Sequence, residues 1–230
     1  MRTKPVNHKQ KFLARAVLMV WLGATSLLCS AEDGTADWQL KKAEDGIEVY
    51  SQPLSNSHFH RVKGVTIVTT ELKSLLSFLQ DESINTQWVP YSGGAELLQR
   101  KSSRESIVHF YVKSSWPFKD RDAVALFTVN QDPGNYSVHV AMSSLPDYIP
   151  QADNTVRMEQ YQGYWQLAPL GDGRIRITYL NHIDPGGNIP SWIANPFAVK
   201  ATWQALANLK QAITGYDKVA AHLDFIQEPP

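Results

Sequence analysis

Trp116-Pro117-Phe118-Lys119-Asp120-Arg121-Asp122 joins two apolar, strand-like runs, Ile107–Val112 and Ala123–Val129. Proline lacks an N–H and holds the preceding residue extended, so the ladder breaks at Trp116-Pro117, and the charged triplet after it suits a turn. Working outward, Ala95–Arg100 precedes the pair, and Asp132-Pro133-Gly134-Asn135 turns the chain into Tyr136–Met142. Val156–Leu167 and Arg174–Asn181 follow, joined by Gly171-Asp172-Gly173. On three of these runs one face is clearly the more apolar: Val108, Phe110 and Val112; Val138, Val140 and Met142; Ile175, Ile177 and Tyr179. Gly163, Trp165 and Leu167 oppose Gln162 and Gln166 on another. The pattern predicts an antiparallel sheet with one buried concave face.

Upstream, Trp38–Lys42 and Ile47–Ser51 flank Asp45-Gly46, a strong hairpin-turn signal, and Phe59–Val68 reads as a third strand. Thr69-Thr70 offers N-cap oxygens to Glu71–Gln80, where Leu72, Leu75, Leu76 and Leu79 recur at helical spacing. Downstream, Asp184-Pro185-Gly186-Gly187-Asn188 breaks the strand pattern, and Pro190 suits the first turn of a short helix. A long helix is predicted from Ala198 to about Tyr216, with Val199, Trp203, Leu206, Leu209 and Ile213 as its apolar stripe. Its alanines, among them Ala198, Ala201 and Ala205, let it approach a sheet closely or leave room beside it. Residues 217–230 read as a C-terminal tail.

The first thirty residues carry processing information. Arg2, Lys4, Lys9, Lys11 and Arg15 precede an apolar run from Ala16 to Leu28, shorter than the ~20 residues of a membrane span. Residues 1–31 are therefore expected to be a signal peptide cleaved near Ala31, with 32–37 as a linker and 38–216 as the folded domain. The alternative, lipidation of Cys29, is weakened by the bulky Leu28 before it. Cleavage at Ala31 removes the only cysteine, so no disulfide remains in the oxidising compartment, the periplasm, to which the chain is expected to go. It also leaves 17 basic against 22 acidic residues, a formal charge of −5, which argues against nucleic acid as a partner.

Four pieces narrow the family: Trp116-Pro117 with Arg121-Asp122; Gly163-Tyr164-Trp165; Leu170-Gly171-Asp172-Gly173-Arg174-Ile175-Arg176-Ile177-Thr178-Tyr179; and Asp184-Pro185-Gly186-Gly187 with Ile189-Pro190-Ser191-Trp192. In this order they resemble the StAR-related lipid-transfer (START) domain, over roughly Trp38 to Gly215. The resemblance implies an α+β helix-grip fold, a curved antiparallel sheet wrapped around a long C-terminal helix, with an apolar tunnel that holds one lipid. On the inward faces, Val108, Phe110, Phe127, Val129, Val140, Trp165, Ile177, Tyr179, Trp203 and Leu206 are the expected tunnel lining, although for Trp165, Tyr179 and Trp203 plain core packing is an equal reading. Trp192 and Phe197 are the expected gate and membrane contact. Steroid-transfer members carry a buried acid–base pair where an ungapped comparison here places Val108 and Phe127, so the tunnel is expected to be more uniformly apolar.

Trp116, Pro117, Arg121 and Asp122 are read as a structural motif rather than a ligand contact, since neighbouring strand residues face opposite sides. His58-x-His60 lacks further metal ligands at close spacing, and no nucleophile elbow, P-loop or dinucleotide fingerprint occurs, so no metal, cofactor or catalytic residue is expected. The expected function is non-catalytic binding, with or without transfer, of a hydrophobic ligand by a monomer in transient contact with a membrane. A polyketide cyclase-type enzyme using the tunnel as a reaction chamber, and a lipid sensor acting through a protein partner, are the alternatives.

Overall fold

The computed structural model describes residues 37–230; the expected signal peptide and all of the linker except Asp37 lie outside them. In chain order the elements are β1 (Gln39–Glu44), β2 (Ile47–Leu54), β3 (Ser57–Thr69), α1 (Leu72–Leu79), α2 (Asn85–Trp88), β4 (Ser92–Arg100), β5 (Glu105–Val112), β6 (Asp120–Gln131), β7 (Val138–Ser144), β8 (Thr155–Arg157), β9 (Gln160–Gly171), β10 (Arg174–Asp184) and α3 (Ser191–Ala212). The strands form one curved sheet in the order β1-β2-β3-β10-β9-β7-β6-β5-β4, antiparallel throughout that path, with β8 paired in parallel to β6 off it. This is the expected α+β arrangement: a curved antiparallel sheet and a long C-terminal helix that packs on β2 and β3.

Local chemistry sets several of these elements. Asp45 and Gly46 both take positive φ (54° and 70°), as a two-residue hairpin turn requires, and Glu44 pairs directly with Ile47. At Gly64 of β3 a Cβ would stand 2.5 Å from Leu206 Cδ1 and 2.8 Å from Thr202 Cγ2, so only glycine lets α3 lie this close to the sheet. The main apolar core fills one end of the concavity, with Leu75, Leu76 and Phe78 of α1, Trp88, Val140, Leu167, Ile177, Leu206 and Leu209 all buried.

Four expectations change. The charged triplet Asp120-Arg121-Asp122 lies in β6, not in the turn, because pairing with β5 begins as soon as the chain can turn back: Val112 faces Arg121 and Tyr111 faces Asp122. The last helix begins at Ser191 rather than Ala198. Its first turn closes on the Pro190 carbonyl, and Asn195 ties it to β3, accepting from His60 N (3.0 Å) and donating to His58 O (3.2 Å). Pro196 inside it therefore forfeits one bond, to the Trp192 carbonyl, without ending it.

Residues 217–230, read as a tail, are docked. Leu223 and Ile226 are buried in the core, and Gln227 exchanges hydrogen bonds with Gln131. Thr70 N–H goes to Gly173 O, so α1 begins later than its threonines suggest, and Glu71 at its N-cap makes no side-chain cap. The Glu228 carboxylate supplies it from the far end of the chain, accepting from Leu72 N (2.9 Å) and Lys73 N (2.8 Å). Truncation after Tyr216 is expected to lower stability to urea unfolding by several kcal/mol, since each buried aliphatic side chain contributes about 1.5–3 kcal/mol. Glu228→Gln alone should cost about 0.5–1 kcal/mol. An unchanged midpoint in the truncated protein would show the docking to be energetically idle.

Candidate functional site

Small residues open the other end of the concavity. Ala194, Ala198, Ala201 and Ala205 recur at helical spacing on the face of α3 that looks at the sheet, and Ala123 faces them from β6. A cavity of about 430 Å3 remains between helix and sheet, walled also by Phe110 and Val112 of β5, Tyr161 of β9, and Tyr179, Asn181 and Ile183 of β10. Tyr91, Phe118, Met158, Ile189 and Phe197 also line it. The two possibilities for the helix alanines are thus both realised, on different faces: Thr202 and Leu206 press onto Gly64, while the alanines beside them leave room.

Of the expected lining, Phe110 and Tyr179 face this cavity. Val129, Val140, Trp165, Ile177 and Leu206 share the inner face but pack in the core, and Phe127 lies against both that core and the Phe110 ring (5.6 Å). Val108 is buried on β5 beyond the cavity. Trp203 turns toward β1, its ring 3.4 Å from Lys42 Nζ. Trp165 stacks on Tyr179 at 4.0 Å, and this pair divides packed core from open space. Phe197 lines the cavity and packs on Tyr91 (4.7 Å), whereas Trp192 is 75% exposed.

The wall is less uniformly apolar than expected. The Tyr179 hydroxyl interacts with both the Tyr161 hydroxyl and the Asn181 side chain, and Asn181 Nδ2 reaches Thr202 Oγ1 at 3.5 Å. Burial pushes both phenols up, Tyr179 well above its ordinary range, so they stay protonated near neutrality and act as hydrogen-bond donors rather than bases. Sequence inspection named Tyr179 but missed Tyr161 and Asn181, because they lie on strands whose alternation marks a face but not which part of it is filled.

The START domain family matches residues 24–215 of the chain. The chain is a START domain. It is 28% identical over 199 residues to an uncharacterised protein of Pseudomonas aeruginosa, covering 86% of this chain and 98% of that one. It is 29% identical over 189 residues to the phosphatidylcholine transfer protein of Bos taurus, covering 80% and 87% respectively. Among solved structures it is similar to the STAR-related lipid transfer protein of Xanthomonas axonopodis, at 30% identity and a TM-score of 0.72, over 78% of this chain and 99% of that one. Members of the family are lipid-binding and lipid-transfer proteins.

In this START domain the Trp-Pro motif splits four ways. Trp116 is 92% exposed, and Pro117 follows it in the loop. Arg121 lines the cavity. Asp122, on the opposite side of β6, accepts from Arg157 Nε (3.1 Å) and Nη2 (2.8 Å) and lies 2.8 Å from His109 Nε2. Arg157 also gathers the carbonyls of Pro146, Ile149 and Pro150, fastening the 145–157 segment over the outer face of the sheet. Burial acts to raise the Asp122 carboxyl, but the hydrogen bonds and charges of Arg157 and His109 outweigh it and hold the group below the ordinary carboxylate range.

A group depressed in this way stabilises the fold fully above its unfolded pKa, about 3.9, and the contribution is lost as pH falls through the lower folded value. The melting temperature should therefore drop below about pH 4, and Asp122→Asn should flatten part of that fall while lowering stability at pH 7. Arg157→Met, which strands a buried carboxylate, should cost about 3–5 kcal/mol in urea unfolding.

Proposed function

We propose that this START domain binds a single lipid in the cavity under α3 and exchanges it at a membrane surface, without catalysis. The observation that carries the reading is a mainly apolar space of about 430 Å3, open at its mouth, around which large aromatic side chains are presented to solvent. Trp116 is 92% exposed on the loop whose Ser114, Ser115 and Phe118 line the cavity, and Trp192 is 75% exposed beside Ile189 and Ile193, which line it as well. Exposed tryptophans of this kind suit the interface between lipid head groups and acyl chains.

Magnitudes favour membrane contact over release into water. A chain of about fifteen methylenes at ~0.8 kcal/mol each would cost on the order of 12 kcal/mol to expose. Left empty, a cavity of this size would forfeit up to about 10 kcal/mol at ~24 cal/mol per Å3, comparable to the whole stability of a domain. The domain is therefore occupied for most of its life, and α3 with the Asp184–Trp192 segment is the part that opens, Gly186 and Gly187 both holding positive φ there. Export to the periplasm, with cleavage near Ala31, belongs to the same proposal, and N-terminal sequencing of the mature protein should begin near Glu32.

Native mass spectrometry of freshly purified protein is expected to show a co-purified lipid; a clean unliganded mass would count against the proposal. Trp192→Ala should slow lipid transfer between vesicles several-fold while leaving equilibrium binding largely intact. Equal transfer rates in variant and wild type would remove Trp192 from the exchange step.

A further inference from the structure

Arg121 stands out among the residues that face the cavity. It is only 4% exposed, and no carboxylate lies within ion-pair distance of it among the described residues. Buried cations are ordinarily paired, because taking a charge out of water is expensive unless an opposite charge replaces the solvent. The nearby carboxylates make their direct contacts elsewhere, and Asp120 attracts the guanidinium only from beyond ion-pair distance. Asp120 accepts from Ser114 N (2.8 Å) and Lys113 Nζ (3.2 Å), Asp122 faces Arg157 across the sheet, and Asp184 accepts from Gly186 N (2.8 Å).

The hydrogen bonds of the guanidinium go to neutral groups. Nε donates to Pro185 O (3.5 Å), and Nη1 to Ser114 Oγ (3.3 Å) and the Lys119 carbonyl, with the Phe118 ring 5.7 Å away. Nη2 has no acceptor among the described residues, and it lies on the side of Gly187, where a Cβ would stand 3.8 Å from it. The only other charged lining residue is Lys113, which is exposed and already pairs with Asp120, and the remaining polar lining groups are uncharged. A positioned fork with a spare donor, a positive charge with no carboxylate in contact and an apolar space come together at one place.

We propose that Arg121 is an anion site for the cargo: the bound lipid carries a phosphate or carboxylate oxygen that accepts from Nη2 and neutralises the guanidinium, with its chains lying along the alanine face of α3. The inference rests on the lipid-binding reading and names the ligand class of that site. An oxyanion suits the planar donor geometry of arginine better than a hydroxyl or ester does, because it completes a charge pair as well as a hydrogen bond.

The test compares probes with one apolar body and different charge, at about pH 8, where carboxyl groups are ionised. A pyrene-labelled fatty acid is set against its methyl ester, and a fluorescent phosphatidic acid against the matching diacylglycerol, each titrated into delipidated full-length protein. The wild type should prefer the charged member of at least one pair about ten- to hundredfold, the range expected for a buried charge-assisted hydrogen bond. Which pair shows it tells carboxylate from phosphate. Arg121→Gln should abolish the preference, bringing the charged member of the pair down to the affinity of its neutral partner, and Arg121→Lys should keep part of it.

Equal binding of charged and neutral probes by the wild type would overturn the anion site and leave lipid binding standing. A loss in Arg121→Gln that is the same for all probes would also overturn it, since a purely structural arginine predicts that result. Inorganic phosphate alone binding as tightly as phosphatidic acid would assign the site to a free ion and overturn the lipid-borne anion. Should Arg121→Gln fail to fold, the wild-type comparison and Arg121→Lys decide the question unaided. If no probe binds and no lipid co-purifies, the underlying lipid reading has failed instead.

Discussion

Asp122 and Arg157 meet through two hydrogen bonds, of 3.1 and 2.8 Å, on the outer side of β6, both side chains almost fully buried. A pair so deeply desolvated is not by itself strong evidence of stability, but it dictates geometry, because any arrangement that separates the charges leaves one of them stranded. The consequences spread from there. Arg157 draws three loop carbonyls over the sheet, and β8 is laid in parallel along β6, with Met158 N donating to Asp122 O at 2.8 Å. The turn at Gly186 then nests against Val156 and the Arg157 carbonyl, and Pro185 offers its carbonyl to Arg121. Arg121 and Asp122, one residue apart, thus connect the cavity wall to the outer clasp through the alternation of a single strand.

The cavity has a similarly plain origin. Along the inner face of the sheet, large side chains fill the end where α1, Trp88 and Trp165 pack, and the space ends where the helix offers alanine instead of leucine. Void of this kind forfeits dispersion contacts and is stable only if the rest of the fold is well secured. The docked C-terminus contributes to that security: Leu223 and Ile226 extend the core, and Glu228 caps α1, whose own N-cap residue makes no side-chain bond.

The sheet was legible because antiparallel strands with one covered face alternate, and because Asp45-Gly46 and Gly171-Asp172-Gly173 are turn chemistries with few other uses. The start of α3 was not, since Pro196 reads as an interruption until the tether of Asn195 to β3 is seen. The C-terminal segment was misread for a comparable reason. A short apolar pair, Phe225-Ile226, followed by Gln-Glu-Pro-Pro has no periodicity, and the partners of this segment, Gln131 and the first amides of α1, are remote in the chain.

The site was legible by face and not by depth. Period-2 alternation placed Phe110, Phe127, Trp165 and Tyr179 on the inner side, but whether such a residue meets a neighbour or a void depends on what the opposing helix presents at that level, which no strand encodes. The sequence by itself determined the strand faces, the hairpin turns, the long last helix and membership of the START family. Tertiary structure alone decided where the core stops and the cavity begins, that Asp122 is matched by Arg157, and that Arg121 has no carboxylate in contact. These are relations between segments far apart in the chain, and charge pairing and packing are settled only when those segments meet.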